Sequence, residues 1–171
     1  MVDRILVDAL NFKSRDLAFK LKVLIRKTPD LKHFQKMDDD TLMGMGLRIY
    51  PLVARSLEEG LDKQLIGAFF VNVGKVRMEE GYPVSELIYA MSLVQKIVIE
   101  YLMTDFALDS TIRMYQALGA VSKISEFFLL GSFYLIKGFL EATYVHKNEK
   151  DAVSEELLQK YFRDDFFFKN E

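Results

Sequence analysis

Apolar residues recur at helical spacing along almost the whole chain, and this periodicity constrains the fold more than any other feature. Near the N-terminus, intervals of three, four or seven residues separate the leucines Leu6, Leu10, Leu17, Leu21 and Leu24. That spacing is typical of one buried face on an α-helix. No stretch alternates between apolar and polar residues for long enough to predict a β-strand. The sequence therefore predicts an all-α fold.

Helix-breaking residues divide this pattern into five or six helices. Pro29 ends the first helix and Gly60 the second, while Gly81-Tyr82-Pro83 makes a corner after the third. Gly can adopt the left-handed closing conformation, and Pro cannot continue a helix. Residues that favour the N-cap position precede later helices: Asp38, Ser85, and Asp109 or Ser110. We predict helices over 3–27, 41–59, 62–80, 85–105, 110–146 and 154–163.

The predicted helix near 110–146 is very long for a chain of this size. At about 1.5 Å per residue it would span on the order of 50 Å, so we expect a bend near Gly119 or Gly131, or a protruding end. The 171 residues suffice for one hydrophobic core. We expect a single all-α domain over 1–171, either a helical bundle or globin-like. Its helical core covers 1–148, and a charged, Phe-rich helix and tail covers 149–171.

Charge and composition exclude several classes of protein. The 23 basic and 25 acidic side chains give a formal net charge of −2, whereas nucleic-acid binders usually carry a basic excess. The most apolar run, 127–136, is about half as long as the roughly 20 residues of a membrane span. The chain has no cysteine, which suits a reducing compartment. We expect a cytoplasmic protein with no nucleic-acid partner and no membrane insertion.

Residues that perform catalysis or bind metals are sparse. The two histidines, His33 and His146, lie in a polar connection and near a helix end, whereas a haem iron needs a histidine inside the core. No Glu-x-x-His pair suits a di-iron bundle. Gly74-Lys75 lacks the other residues of a phosphate-binding loop. We therefore expect no enzymatic activity, no cofactor and no metal.

Two apolar segments are candidates for a functional surface. Met91, Val94 and Val98 form a heptad-spaced seam on the predicted fourth helix, which is typical of helices that pack against other helices. The segment 127–136 is apolar on all sides. Its large rings are the further candidates: Phe127, Phe128, Phe133 and Tyr134. Three interpretations stay open, namely a hydrophobic core, a dimer seam and a pocket for an apolar ligand.

Residues 74–90 carry a motif in which Arg77, Gly81, Pro83 and Leu87 occupy set positions before an apolar helix. In this motif the chain resembles the N-terminal sensory domain of RsbR/RsbRD-type regulators and related bacterial histidine kinases. The resemblance covers 67–105 most specifically and 3–145 loosely. It implies a non-haem, all-α domain, globin-like or a bundle, which is usually dimeric and feeds an output domain.

The resemblance and the sparse chemistry together set the functional expectation. We expect a non-catalytic sensory or regulatory module of bacterial signal transduction that acts through protein–protein interaction. It would form a homodimer and act on a separate signalling partner protein. The alternative is a carrier or sensor of an apolar small molecule in a pocket lined by 127–136.

Overall fold

Six α-helices account for nearly all of the described chain. The computed structural model describes residues 4–150, with side chains through Val145. The helices are α1 (Arg4–Lys27), α2 (Lys32–Lys36), α3 (Asp39–Glu59), α4 (Lys63–Glu79), α5 (Val84–Tyr101) and α6 (Thr111–Lys150). A π-helical turn (Leu102–Phe106) and a 3₁₀ turn (Ala107–Asp109) connect α5 to α6. Within 4–150 no strand is present, so the predicted all-α bundle of five to six helices is confirmed.

The long helix predicted near 110–146 is confirmed as α6. It runs for 40 residues without interruption at Gly119 or Gly131, which corresponds to about 60 Å. The hydroxyl of Ser110 accepts a hydrogen bond from the backbone N–H of Arg113 at 3.2 Å, as an N-cap does. The predicted helix 154–163 and most of the predicted tail 149–171 lie outside the described residues.

One predicted helix boundary differs from the structure, and one short helix is absent from the prediction. The sequence predicts Ser85 as the N-cap of the fourth long helix, but α5 begins at Val84 and Pro83 occupies the N-cap position without a side-chain hydrogen bond. Pro suits this place because the first turn of a helix has no partner for its missing N–H. The short helix α2 was not predicted, since its five residues are too few to show a period.

The corner between α4 and α5 closes as the sequence predicts. Gly81 has a φ of 80°, a left-handed conformation that costs residues with a Cβ about 1–2 kcal/mol. The N–H of Tyr82 donates to the carbonyl of Arg77 and the N–H of Gly81 to that of Met78, both at 2.9 Å. This pair of hydrogen bonds is the Schellman motif, and it satisfies carbonyls that the end of α4 would otherwise leave unpaired.

The helices α1 and α3 form one antiparallel pair. An added Cβ at Gly46 would lie 2.6 Å from the Cβ of Ala18, so the two backbones approach closely there. At the other end of the pair, Lys22 and Arg26 form ion pairs with Asp39 at 3.0 and 2.8 Å. Hydrogen bonds from Arg26 and Lys22 hold the pKa of the Asp39 carboxyl below its ordinary value. These contacts fix the start of α3 beside the end of α1.

The helices α4 and α6 form the most extensive pair and run in the same direction. Gly67 lies against the ring of Tyr134, and eight residues later Lys75 forms an ion pair with Glu141 at 3.0 Å. Between these points, an added Cβ at Gly74 would overlap the carbonyl oxygen of Leu135. The two backbones therefore touch directly, as helices do only where a side chain is absent.

The same contact is repeated from the side of α6. An added Cβ at Gly138 would overlap the carbonyl oxygen of Val71, and one at Gly131 would lie 2.7 Å from the ring of Phe70. The helix α5 connects the two pairs, because it packs against both α1 and α6. Its side chains and those of both pairs form one continuous core.

We predict that Gly74→Ala destabilises the fold while Gly44→Ala does not. The new methyl group at position 74 must push α4 and α6 apart, and overpacking of this kind costs about 1–3 kcal/mol. Position 44 lies in the interior of α3, and a Cβ there meets only the Arg48 side chain at 3.6 Å. Alanine at 44 should raise the free energy of unfolding by about 0.5–1 kcal/mol. Urea unfolding of both variants tests this, and equal midpoints would contradict the close contact.

Candidate docking face on the longest helix

The heptad seam of α5 is buried within the chain. The exposed fractions of Met91, Val94 and Val98 are 5%, 1% and 0%. These side chains face the other helices of the same molecule, so they present no outer surface to a partner. Their spacing therefore reports a helix that packs against neighbours within its own chain.

The rings of the segment 127–136 divide between the core and the surface. Phe127 and Phe128 are buried, and the Phe127 ring packs edge-on against that of Phe70 with centroids 5.8 Å apart. Phe133, in contrast, is 48% exposed. Tyr134 is half-buried, with its ring over Gly67. The structure thus places only part of the segment where another molecule can reach it.

Two apolar stripes run along α6 on opposite sides. The buried stripe packs on the rest of the protein: Ala117, Ala120, Ile124, Phe127, Phe128, Leu135 and Ala142. The opposite stripe faces outward with the spacing three, four, three, four. We call it the outer face, and its members are Ile112, Tyr115, Gly119, Ser122, Glu126, Leu129, Phe133, Ile136 and Leu140.

The outer face exposes large apolar side chains at several positions. Ile112 is 71% exposed, Tyr115 is 72% exposed and Leu129 is 74% exposed. Single exposed apolar residues are ordinary, but several large exposed apolar side chains on one face of a helix indicate a binding surface. The middle of the stripe is small and polar, with Gly119, Ser122 and Glu126. The apolar character of this helix on all sides predicts an apolar surface at 127–136. The exposed stripe is longer and extends from Ile112 to Leu140.

A second, smaller apolar row lies on α1. Ile5, Phe12 and Phe19 are seven residues apart and are 50%, 81% and 54% exposed. Basic side chains lie over two of the rings: the ammonium of Lys13 is 5.7 Å from the centroid of Phe12, and that of Lys22 is 5.0 Å from that of Phe19. The sequence gives these phenylalanines the same spacing as core residues, so it did not single them out.

A small cavity lies between α3, α4, α5 and α6. Its volume is about 70 Å³, which exceeds the space of one water molecule, about 10–15 Å³ on the same measure. Apolar side chains dominate its walls, among them Phe70, Met91 and Leu135, and Arg48 and Arg77 also line it. Two residues of the predicted α5 seam, Met91 and Val94, line this cavity, whereas Leu135 is the only lining residue from 127–136.

One buried carboxylate connects α5 to α2. Glu86 is 7% exposed, and its Oε2 accepts a hydrogen bond from the backbone N–H of His33 at 2.9 Å. The Nδ1 atom of the His33 ring lies 2.8 Å from Oε1. Glu86 therefore caps the first turn of α2, whose own N-cap, Leu31, makes no side-chain hydrogen bond. The ring of Tyr82 lies beside His33, with centroids 5.6 Å apart.

The environment of Glu86 acts on its pKa in opposite directions. Burial by itself raises the pKa of the carboxyl, because a low-dielectric environment disfavours the charge. Hydrogen bonds from the ring and the backbone of His33 stabilise the charged form and lower the pKa. The net pKa of Glu86 lies below the ordinary value, so the carboxyl is charged at neutral pH and holds α2 against α5 through its hydrogen bonds to His33.

Two helical stretches are long and apolar enough to cross a membrane by length and composition alone. They are Val84–Asp109, with 26 residues, and Thr111–Val145, with 35. Half of the most apolar window of the first and a third of that of the second are buried inside the protein. Core helices of water-soluble proteins pass the same test, so the absence of membrane insertion stays a prediction.

Comparison with known proteins adds no relative. No family model, no curated protein and no solved structure matches the chain. Within residues 4–145, no group of three or more His, Asp or Glu side chains could hold a metal ion. The interpretation of function therefore depends on the surface and the packing of this chain alone.

We predict that Glu86→Gln lowers the free energy of unfolding by about 1–3 kcal/mol at neutral pH, because it removes the charge from hydrogen bonds of a buried acceptor. A lowered pKa contributes stability above the unfolded-state value, near 4.5, and this contribution disappears as the pH falls through the folded-state value. The difference between wild type and variant should therefore shrink between neutral pH and an acidic pH at which the Glu86 carboxyl is protonated in the folded state.

Chemical unfolding at both pH values measures this difference. The matched control is Glu79→Gln, which changes an exposed carboxylate at the end of α4 and should stay within about 0.5 kcal/mol. A Glu86 effect that is the same at both pH values would contradict the role of the charge.

Proposed function

We propose that this protein is a non-catalytic regulatory module that acts through protein–protein interaction, as a homodimer whose seam includes the outer face of α6. The single observation that carries the proposal is the exposed apolar stripe on this helix, from Ile112 to Leu140. Burying a large aliphatic or aromatic side chain yields about 1.5–3 kcal/mol. Several such residues in one row supply enough driving force for association.

The polar centre of the outer face supports a protein partner over a lipid bilayer. Ser122 and Glu126 are exposed midway along the stripe, and the exposed Lys123 lies beside it. A charged side chain at the centre of a bilayer costs about 2.5–3.5 kcal/mol or more. In a protein interface the same groups can pair with polar side chains and fix the alignment of the partners.

The role in bacterial signal transduction follows from the resemblance to the sensory domains of RsbR/RsbRD-type regulators. The residues that carry this resemblance have a clear structural place: Arg77, Gly81 and Pro83 build the corner between α4 and α5. A corner of this kind positions α5, and through it the cavity and the core side of α6. The proposal includes a separate signalling partner protein on which this module acts.

A carrier or sensor of an apolar small molecule is the second candidate, and the cavity favours it. The volume of about 70 Å³ is well below the roughly 300–1,000 Å³ of ordinary ligand pockets. It accommodates a short alkyl or aromatic portion of a ligand. Native mass spectrometry of the purified protein tests this candidate. If the protein carries a ligand, the folded protein should be heavier than the bare chain, and denaturation should remove the additional mass.

We predict that the double substitution Leu129→Glu/Phe133→Glu converts the homodimer to a monomer. The new carboxylates would lie buried and unpaired in the seam, which costs several kcal/mol. Static light scattering at tens of micromolar measures the change, from twice the chain mass of 19.9 kDa to once that mass. Circular dichroism should show unchanged helicity, because both side chains are exposed in the folded chain.

The matched control is Phe12→Glu, which makes the same change at an 81% exposed residue of α1. This variant should stay dimeric. A monomeric wild type would overturn the homodimer, and a dimeric double variant would exclude the outer face as its seam.

A further inference from the structure

The outer face of α6 consists of two interleaved rows with seven-residue spacing. One row contains Ile112, Gly119, Glu126, Phe133 and Leu140, and the other contains Tyr115, Ser122, Leu129 and Ile136. Rows with this spacing form the contact positions of paired helices, in which each side chain packs between side chains of the facing helix. The order of large, small and polar residues along the rows therefore restricts which alignments of two helices can pack.

We propose that two copies of the chain pair α6 against α6 in antiparallel orientation. The two-fold axis crosses the outer face at the level of residue 124, whose own side chain is buried on the opposite side of the helix. This inference rests on the homodimer proposed above and adds its orientation and register. An antiparallel pair with this axis is isologous, because each copy offers the same surface to the other. Any two residues of the outer face whose numbers add to 248 then face each other across the seam, one from each copy.

This register matches eight of the nine members of the outer face in size and polarity, and the ninth, Leu140, faces position 108, which precedes α6. Ile112 of one copy faces Ile136 of the other, and Tyr115 faces Phe133. Gly119 faces Leu129, so that the most exposed aliphatic side chain of the stripe meets the position without a side chain. At the centre, Ser122 faces Glu126, where the hydroxyl can donate a hydrogen bond to the carboxylate. A single polar layer of this kind specifies register in paired helices.

The alternative alignments leave mismatched layers. In a parallel pair each residue faces its own copy, which sets Glu126 against Glu126, two like charges in contact, and leaves a gap where Gly119 faces Gly119. Shifting the antiparallel pair by seven residues in one direction sets Glu126 against Tyr115. Shifting it in the other direction sets Glu126 against Leu129. The second shift buries a carboxylate against an aliphatic side chain, which is costly. The first leaves Phe133, Ile136 and Leu140 opposite residues that precede α6.

A second copy also explains the position of the polar layer. Ser122 and Glu126 lie symmetrically about residue 124, with the apolar or glycine positions 112, 115 and 119 before them and 129, 133 and 136 at matching distances after them, while Leu140 extends the stripe by one further position. Symmetry of this kind is what a self-complementary surface requires. Neither a bilayer nor an unrelated helix would require polar residues at equal distances from one central point.

Site-specific cross-linking tests the register, because the chain has no cysteine of its own. Two single variants, Tyr115→Cys and Phe133→Cys, are prepared with tags of different size, mixed, and treated with a short bis-maleimide. The mixture should give one cross-linked species that carries both tags. Each variant alone should give none, since identical positions lie 18 residues apart across the axis, about 27 Å.

The matched control mixes Tyr115→Cys with Thr143→Cys. Thr143 is equally exposed on α6 but lies about 15 Å along the seam from the partner's position 115 in this register, so no cross-link should form. Light scattering on the same wild-type protein separates the two proposals. Cross-linking of each variant with itself would show a parallel dimer, which would overturn this register and leave the homodimer proposal intact.

Two further results would overturn the inference. A dimer without any cross-link in the mixture would mean that the seam has another register or lies on another surface, and either case overturns the register proposed here. A monomer would overturn both the register and the homodimer. If that monomer sedimented with phospholipid vesicles, a bilayer would be the occupant of the outer face. If it did not, residues 151–171, which follow α6 in the chain, would be the remaining candidates to cover it.

Discussion

The direct contact of the α4 and α6 backbones is the constraint on which the rest of the structure depends. Gly74 lies on the carbonyl of Leu135 and Gly138 on the carbonyl of Val71, with no room for a methyl group at either place. Because glycines seven residues apart occur on both helices, the contact extends over two turns. It fixes which side of α6 faces inward, and hence which side faces solvent.

The outer face of α6 is a consequence of that contact. Once Gly131, Leu135 and Gly138 face α4, residues half a turn away must point outward, among them Leu129 and Phe133. No other described helix covers them, since α3 and α5 pack against the opposite, buried side of α6. A helix with two apolar stripes in a single bundle needs a second partner for one of them. The surface that we assign to dimerisation is therefore set by the packing of the interior.

The positions of the long helices could be predicted from the sequence, whereas the face of α6 that packs inward could not. Helix positions follow from apolar spacing, and the Gly81 corner follows from its turn chemistry. The spacing of Met91, Val94 and Val98 is the same whether a helix faces its own core or a second chain, so burial alone decides between these cases. For Phe127 and Phe133 the decision depends on Gly131 and Gly138, whose role appears only when α4 lies against them.

Among the residues that the structure describes, most ion pairs have both partners at least partly exposed, and Glu86 is the most deeply buried charged partner. Lys96 and Glu100, for instance, are 57% and 58% exposed, and such pairs contribute at most about 1 kcal/mol. The side chain of Glu86 is 8% exposed, so its charge depends on His33 for stabilisation. Because α2 has no N-cap hydrogen bond of its own, protonation of Glu86 weakens the first turn of α2 and the attachment of α2 to α5 together. Acid should therefore loosen this end of the bundle first, because the α4–α6 contact depends on backbone packing at Gly74 and Gly138 and its Lys75–Glu141 ion pair is partly exposed.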